Sequence, residues 1–481
     1  MGFKFVVLWT DIALALLLAS MLAYGVRVAR QAALRATWTR VLRDPPAACS
    51  ALVLLVFLAI ALLDSVHFRR ALPPTAGQAA GQQFHAARVE SLLDLALARQ
   101  HAMRESSYSA PLAWQALSKD TIVQDGRVSR RHLRLEHGGA HLADPPSQWH
   151  GDLGVRALAG LAAGLACALA AGLAAAMWQA RGRGSLASAL RSIALDRTAY
   201  PLRALWLTLL VSCLLAGPML ALMGHYHVFG TDRTGNDVLV LTLKSIRTAF
   251  VIGLLSTLAT LPLAIALGIL AGWYRGWVDE VVQYLYTLLS SIPNVLLIAA
   301  CVLMVQVALD KQPEWFETGL ERADLKVFLL CVILGLTGWA TLCRLVRAET
   351  MKLRELDFVQ AAVAFGVAPA RIMARHILPN VMHLVLITTV LGFSDLILYE
   401  AVLTYVGVGV EASTSSFGGL INMARNEMSR DPVVWWPFVA AFGFMVALVL
   451  AANLFADGVR DAFDPRARAL RPRIGLRRRE G

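Results

Sequence analysis

Residues able to do chemistry are sparse in this 481-residue chain, and those that stand out sit in unusual places. Asp395 and Glu400 lie inside an apolar run, Val381–Gly407. An ionisable group in a membrane helix faces the bundle interior or a wet cavity as a rule. The two carboxylates therefore read either as a negatively lined pathway favouring cationic solutes or as structural groups near a helix end. Asp11 stands in the first apolar run, either paired with a Lys or Arg or, the favoured reading, near the outer surface. His132, His137 and His141 share a polar stretch, but their spacing fits no strict ligand pattern and reads as solvated loop. Cys49, Cys167, Cys213, Cys301, Cys331 and Cys343 fall in or beside apolar runs without a CxxC pair, as small core residues do. HExxH, GxSxG and paired catalytic Asp patterns are missing from the apolar runs, which disfavours an intramembrane enzyme. No GxxxxGK[ST] run is present to cradle a nucleotide phosphate. Neither a metal nor a cofactor is expected on this chain.

The segment Asp357–Asn380 has a different pattern. Phe358, Ala361, Ala362 and Phe365 recur at i, i+3, i+4 and i+7, one face of a short helix. Gly366 suits its C-terminal stop, Pro369 the first turn of a second short helix, and Pro379 the end of that helix. The expected product is a helix–turn–helix presenting small and aromatic residues to a groove on a partner. An amphipathic helix lying on lipid is the competing reading, although the apolar face is narrow and Ala-rich.

The elements that must position these residues are membrane helices. The hydrophobic fraction is 57%, the charged fraction 16%. Stretches of about 17–27 residues lack charge and are long enough to cross a hydrocarbon core, where only helices satisfy their own backbone. About nine spans result: Phe5–Val26, Pro45–Leu63, Ala157–Ala180, Ala204–Met223, Thr248–Tyr274, Val281–Ala308, Val327–Cys343, Val381–Gly407 and Pro432–Ala456. The fold class is an all-α integral membrane protein. The net charge of +12 comes from arginines in the connectors, which fits loop bias and gives no reason to expect nucleic acid. Basic segments at Arg27–Arg43, Arg181–Arg197, Arg344–Arg375 and Arg466–Arg479 share one side in this count, assigned to the cytoplasm. The N-terminus is then outside and the C-terminus inside.

Val66–Asp152 is long, polar and mixed in charge, and is expected outside as a small domain or lid. Within it, Ser91–Met103 suits a short helix and Thr121–Leu142 a hairpin around Asp125–Gly126. Gly160/Gly164 and Gly268/Gly272 form GxxxG pairs that permit close helix approach. Pro262 and Pro293 should kink their spans.

Several runs resemble a known family. Gln360-Ala361-Ala362 with Gly366 and Ile377-Leu378-Pro379 is similar to the coupling motif of ABC importer permeases. Phe229-Gly230-Thr231-Asp232 with Gly235 and Asp237-Val238 resembles a signature of the dipeptide/oligopeptide (peptide/nickel) branch. Gly272–Asp279, Ser290–Pro293, Glu400–Gly409 and Asp457–Pro465 have counterparts there too. The resemblance covers about Leu205–Arg466 and points to the C-type subunit. It implies a permease for peptides or peptide-like solutes, paired with a second homologous permease and two ABC ATPase subunits that carry ATP and Mg. It also implies an extracytoplasmic substrate-binding protein. The segment 357–380 would be the ATPase-coupling loop. The usual Glu of that motif is Gln360 here, so docking there would rest on packing more than charge unless Glu355 or Asp357 substitutes. The chain divides as 1–65 (N-terminal helices), 66–152 (external), 153–204 (extra helix and basic connector), 205–466 (permease core) and 467–481 (basic tail); the family usually has one span before the signature, whereas this chain has four. A permease for nickel or another small solute, and an ATPase-independent secondary transporter or membrane scaffold, are the alternatives.

Overall fold

A computed structural model describes residues 3–71, 86, 89–124, 127–181, 185–316, 318–411 and 413–463. The basic tail 467–481, the turn Asp125–Gly126, Arg183 and Pro465 lie outside the described residues.

Strand β1 (Phe3–Val6) leads into α1 (Trp9–Arg30), α2 (Ala32–Val41) and α3 (Pro45–Asp64). The polar insert follows, with β2 (His67–Arg70), β3 (Glu90–Ser91), α4 (Leu92–Ala96), α5 (Ala98–Ala102), β4 (Gln115–Gln124) and β5 (Arg127–Arg134). Helices α6 (Pro145–Ala180), α7 (Leu186–Ala194) and α8 (Leu202–Leu222) connect it to a bundle of α9 (Val238–Tyr274), α10 (Gly276–Ser291), α11 (Asn294–Asp310) and α12 (Gly319–Arg354). Then come α13 (Asp357–Ala364), α14 (Pro369–Ile372), a π turn over Met373–Ile377, α15 (Leu378–Val406), α16 (Phe417–Glu427) and α17 (Trp436–Phe463).

Among the described residues, eight helices are long and apolar enough to cross a membrane. The ninth expected span, Val281–Ala308, is a pair: α10 and α11 meet at 89°. Pro293 explains the break. It supplies no N–H for a continuing ladder, and it drives Ile292 into extended backbone at φ −94°, ψ 134°. Pro262, by contrast, sits inside an unbroken α9.

Other boundaries differ from the sequence expectation, α12 for one running Gly319–Arg354 and not Val327–Cys343. The chain starts as a strand, with β1 pairing antiparallel to β2 and β2 to β3, so α1 begins at Trp9 and not at Phe5. Helix α6 begins at Pro145, twelve residues or so before the apolar run. Helix α9 starts at Val238, capped by Asp237, which accepts from the backbone N–H groups of Leu239 (2.8 Å) and Val240 (3.3 Å). Lys244 and Arg247 lie before the expected span start at Thr248. They are helical and paired: Lys244 Nζ donates to Asp94 at 2.8 Å and Arg247 Nη2 to Asp11 at 2.7 Å.

Close helix approach follows the GxxxG pairs. A Cβ at Gly268 would meet Val346 at 2.8 Å, and one at Gly272 would meet Thr350 at 2.7 Å, so α9 and α12 touch backbone to side chain. Gly160 and Gly164 do the same for α6 against Gly217 and Cys213 of α8. Helix α1 packs Ala13, Leu14 and Leu18 onto Val251, Leu330 and their neighbours in the core. Helix α3 lies against α9 and α17 through Phe57, Ala61, Ile246 and Met445.

Candidate functional site: the two ends of helix α9

Helix α9 spans 37 residues, about 55 Å. Its two ends carry the two sets of motif residues.

At the C-terminal end, α13 closes with Gly366 at φ +75°. The Gly366 N–H bonds the Val363 carbonyl (2.9 Å) and the Val367 N–H bonds that of Ala362 (3.1 Å), a two-bond left-handed cap. Phe358, Gln360, Ala361 and Phe365 are exposed, Phe365 at 87%. Asp357 is exposed at the first turn. Ala362 departs from the expected outward face. It is half-buried beside Val359, which is fully buried in the α9–α12–α15 core with Ile372 and Ile377. The outward ridge is therefore Phe358, Ala361 and Phe365, joined by Val363.

Pro369 opens α14 as expected, but Pro379 ends nothing. The chain passes through the π turn straight into α15, with Pro379 in its first turn. The extra residue in that turn accommodates a proline that cannot donate to the preceding turn: the Leu378 N–H reaches back to Met373 O, and the Asn380 side chain donates to His376 O at 2.6 Å. Gln360 Nε2 donates 2.8 Å to the Arg354 carbonyl, one of the last unpaired carbonyls of α12. The resemblance to a Glu-bearing motif gave no sign of this internal role.

The Gly272–Asp279 run fastens this end. Asp279 takes a two-pronged pair from Arg347 at 2.5 and 2.7 Å. Arg354 donates to Trp273 O at 2.8 Å and lies over the Trp273 ring, and Arg275 pairs with Glu355 at 2.5 Å. Glu355 is thus already engaged.

At the other end, the Gly230–Asp237 signature seats on the insert. Ser109 N donates to Thr231 Oγ1 at 2.6 Å, Thr231 N to Ser109 O at 3.1 Å, and Thr231 Oγ1 to Ser107 O at 2.8 Å. Asp232 organises its own turn through Thr234 N (2.8 Å) and Asn236 N (2.9 Å). Gly235, at φ +77°, lies so close that a Cβ would fall 1.7 Å from Glu105 O. Asp237 Oδ2 also holds His227 Nδ1 at 2.7 Å, and His227 Nε2 lies 3.5 Å from Glu105 Oε1. The Glu105 carboxylate accepts from the backbone N–H groups of Glu136, His137 and Gly138 at 2.9–3.0 Å. Burial opposes charge on His227, but the carboxylates of Asp237 and Glu105 outweigh it and hold its pKa up at about 9. Burial likewise raises Glu105, yet His227 and the three N–H groups pull it down to about 2.

Gln100, Glu105, Ser109 and His227 were invisible in the sequence. Single polar residues in a polar stretch carry no periodicity. The expected hairpin over Thr121–Leu142 is present but runs from Gln115 to Arg134, and the single helix expected over Ser91–Met103 is two short ones, α4, capped by Ser91, and α5. His132 bonds Ala116 O and His141 pairs with Asp152, each at its own place.

The two carboxylates of α15 part company. Asp395 is exposed in a groove of about 340 Å³ with Thr257, Thr260, Asn294, Thr341 and Thr388. Glu400 does not line that groove. Five residues on, it points about 140° away around the helix. It is buried, and accepts from Thr404 Oγ1 at 2.9 Å. Thr404 also receives Val410 N at 3.1 Å, and Gly409 lies so close to Thr404 that a Cβ would overlap it, so the Glu400–Gly409 run folds the chain back over the end of α15. Asp11 is paired after all, with Arg247 and with His67 at 2.8 Å, and it sits in the first turn of α1.

Helices threaded by these motifs in this order define an importer permease. The model for "Binding-protein-dependent transport system inner membrane component" matches residues 264–469. The chain belongs to this family and is a multi-pass inner-membrane permease component. It is similar to the oligopeptide transport system permease protein OppC of Mycobacterium tuberculosis, with 30% identity over 291 residues, 60% of this chain and 93% of that relative. OppC of Haemophilus influenzae is 31% identical over 246 residues, 51% of this chain and 72% of the relative. The dipeptide transport system permease protein DppC of Lactococcus lactis is 30% identical over 243 residues, 50% and 64%.

Proposed function

We propose that the chain is the C-type permease of an importer for peptides or peptide-like solutes, with ATP hydrolysis on two separate ATPase subunits docked at residues 357–380. The reading has a second permease completing the pathway and a binding protein delivering solute to the Gly230–Asp237 side. The N-terminus is then outside and the C-terminus cytoplasmic, which the basic connectors at the 357–380 end support. The peptide class rests on the relatives' names.

The observation that carries the coupling reading is the exposed ridge of Phe358, Ala361 and Phe365 on a helix whose inner side, at Val359 and Ala362, is packed on the core. Val359 and Ile377 root it in the core, and Gln360 ties it to α12. A ridge so fixed passes motion to α12 and α15 as a rigid body. Asp395 is assigned to the pathway, supported by the polar groove around it.

The test is Phe365→Asp, which alters only a fully projecting side chain. The expected result is normal membrane abundance with loss of ATPase co-purification and of peptide uptake. Undiminished co-purification and uptake would overturn the coupling assignment.

A further inference from the structure

The N-terminal helices, outside the matched 264–469 region, form with the core a cleft of two adjoining cavities that meet at the Tyr24–Trp38 pair and differ in character. In the span region it is a chamber of about 410 Å³ between α1, α3, α15 and α17, with α9 and Trp38 of α2 also on its wall, lined by Leu18, Met21, Leu54, Leu58, Val390 and Phe455. Among the described residues, Thr257 and Thr389 are the only hydroxyl-bearing side chains on its wall. Tyr24, one turn further along α1, meets Trp38 of α2 at the end of the chamber through a 3.2 Å hydrogen bond from Trp38 Nε1 to Tyr24 Oη. Beyond them the cleft opens to about 660 Å³ and turns polar, with Arg27, Gln31, Asn380 and His383 on its walls. The sequence of apolar wall, amphipathic aromatic pair and cationic mouth follows the polarity profile of one bilayer leaflet.

The charges at the mouth favour an anion. Glu349 is the one carboxylate on this wall, and Lys352 neutralises it at 2.9 Å. Arg27 has no carboxylate partner among the described residues, and Arg30, Arg35, Arg40 and Arg43 follow on α1, α2 and the turn after it. A basic opening between membrane helices on one side of a bilayer suits a lipid phosphate.

We infer that this cleft is a binding site for one anionic phospholipid, with its acyl chain in the α1–α3–α15–α17 chamber and its phosphate at Arg27. A second permease subunit would match the apolar wall but not the cationic mouth. The bound lipid would bridge the N-terminal helices to Asn380 and His383, at the root of α15 beside the 357–380 segment.

The test is native mass spectrometry of the full-length chain, titrated with phosphatidylglycerol or phosphatidylcholine. It needs neither ATP nor a transported solute, so it is independent of the peptide reading. The wild type should retain one phosphatidylglycerol in preference to phosphatidylcholine. Arg27→Gln, on an exposed helical turn, should weaken phosphatidylglycerol retention about fivefold, the loss of one cation near a phosphate, and leave phosphatidylcholine unchanged. Met21→Trp, which fills the chamber from an exposed helix position, should displace both lipids. Equal retention of both lipids in the wild type and both variants would overturn the inference. So would a photo-crosslinker at Met21 that captures a co-purified permease chain instead of lipid.

Discussion

Gln360 Nε2 and the Arg354 carbonyl, 2.8 Å apart, join the outward-facing helix α13 to the last turn of α12. An ionised Glu at this position has no proton to donate. Gln360→Glu should therefore cut this tie and set a charge against a carbonyl, costing about 1 kcal/mol locally. Hydrogen exchange across residues 357–366 should speed up severalfold. Exchange equal to the wild type would show that the bond does not hold the helix.

Gly235 has no room for a side chain. Alanine there meets Glu105 O and must also hold φ +77°. The expected cost is upwards of about 2 kcal/mol, spent on parting the insert from the α9 cap. Limited proteolysis should cut the 89–124 region faster in Gly235→Ala than in the wild type, while the spans remain resistant.

The same junction should respond to pH. His227 binds its proton more tightly folded (about 9) than at its ordinary 6.5, so its contribution is full below 6.5 and lost as pH rises through 9. Glu105 runs the other way. With a folded value of about 2 against an ordinary 4.5, its contribution is full above 4.5 and lost as pH falls through 2. The seat is firmest between about 4.5 and 6.5. Exchange of the 105–114 amides, corrected for intrinsic rate, should accelerate from pH 6.5 to 9, and His227→Gln should abolish that dependence.

Asp395 should bias which solutes pass. Asp395→Asn is expected to lower uptake of cationic peptides relative to anionic ones by a fewfold, through loss of one carboxylate in a partly wet groove. Competition uptake with acidic, neutral and basic peptides measures it, and an unchanged order of preference removes Asp395 from the pathway.

Span positions were legible because a bilayer imposes length and apolarity on any helix that crosses it. Their ends were not. Helix α9 runs ten residues beyond the expected start at Thr248, through Lys244 and Arg247, whose carboxylate partners Asp94 and Asp11 are distant in sequence. The bend at Pro293 was foreseen as a kink, whereas its 89° angle depends on how α11 packs, which no local pattern encodes. In the 357–380 segment, the spacing marked the helix and Gly366 its end. It misplaced Ala362, since an alanine suits either side of so small a helix, and it misread Pro379, which a π turn absorbs. Glu105 and His227 lay beyond reach because their meaning comes from each other.

The seat of the insert also sets an order of events during synthesis. Residues 89–114 leave the ribosome long before Gly224–Asp237, with α6 and α8 made in between. Until that later loop arrives, Gln100 lacks the Asp237 and Gly224 groups it bonds, and Glu105 lacks His227. The insert thus waits as half of a joint, and its completion reports that α6 and α8 have been threaded so as to bring the Gly230–Asp237 loop to the insert's own face. A chain inserted with one helix too few would strand the Gly230–Asp237 loop on the opposite face, leaving an open socket for quality-control proteases.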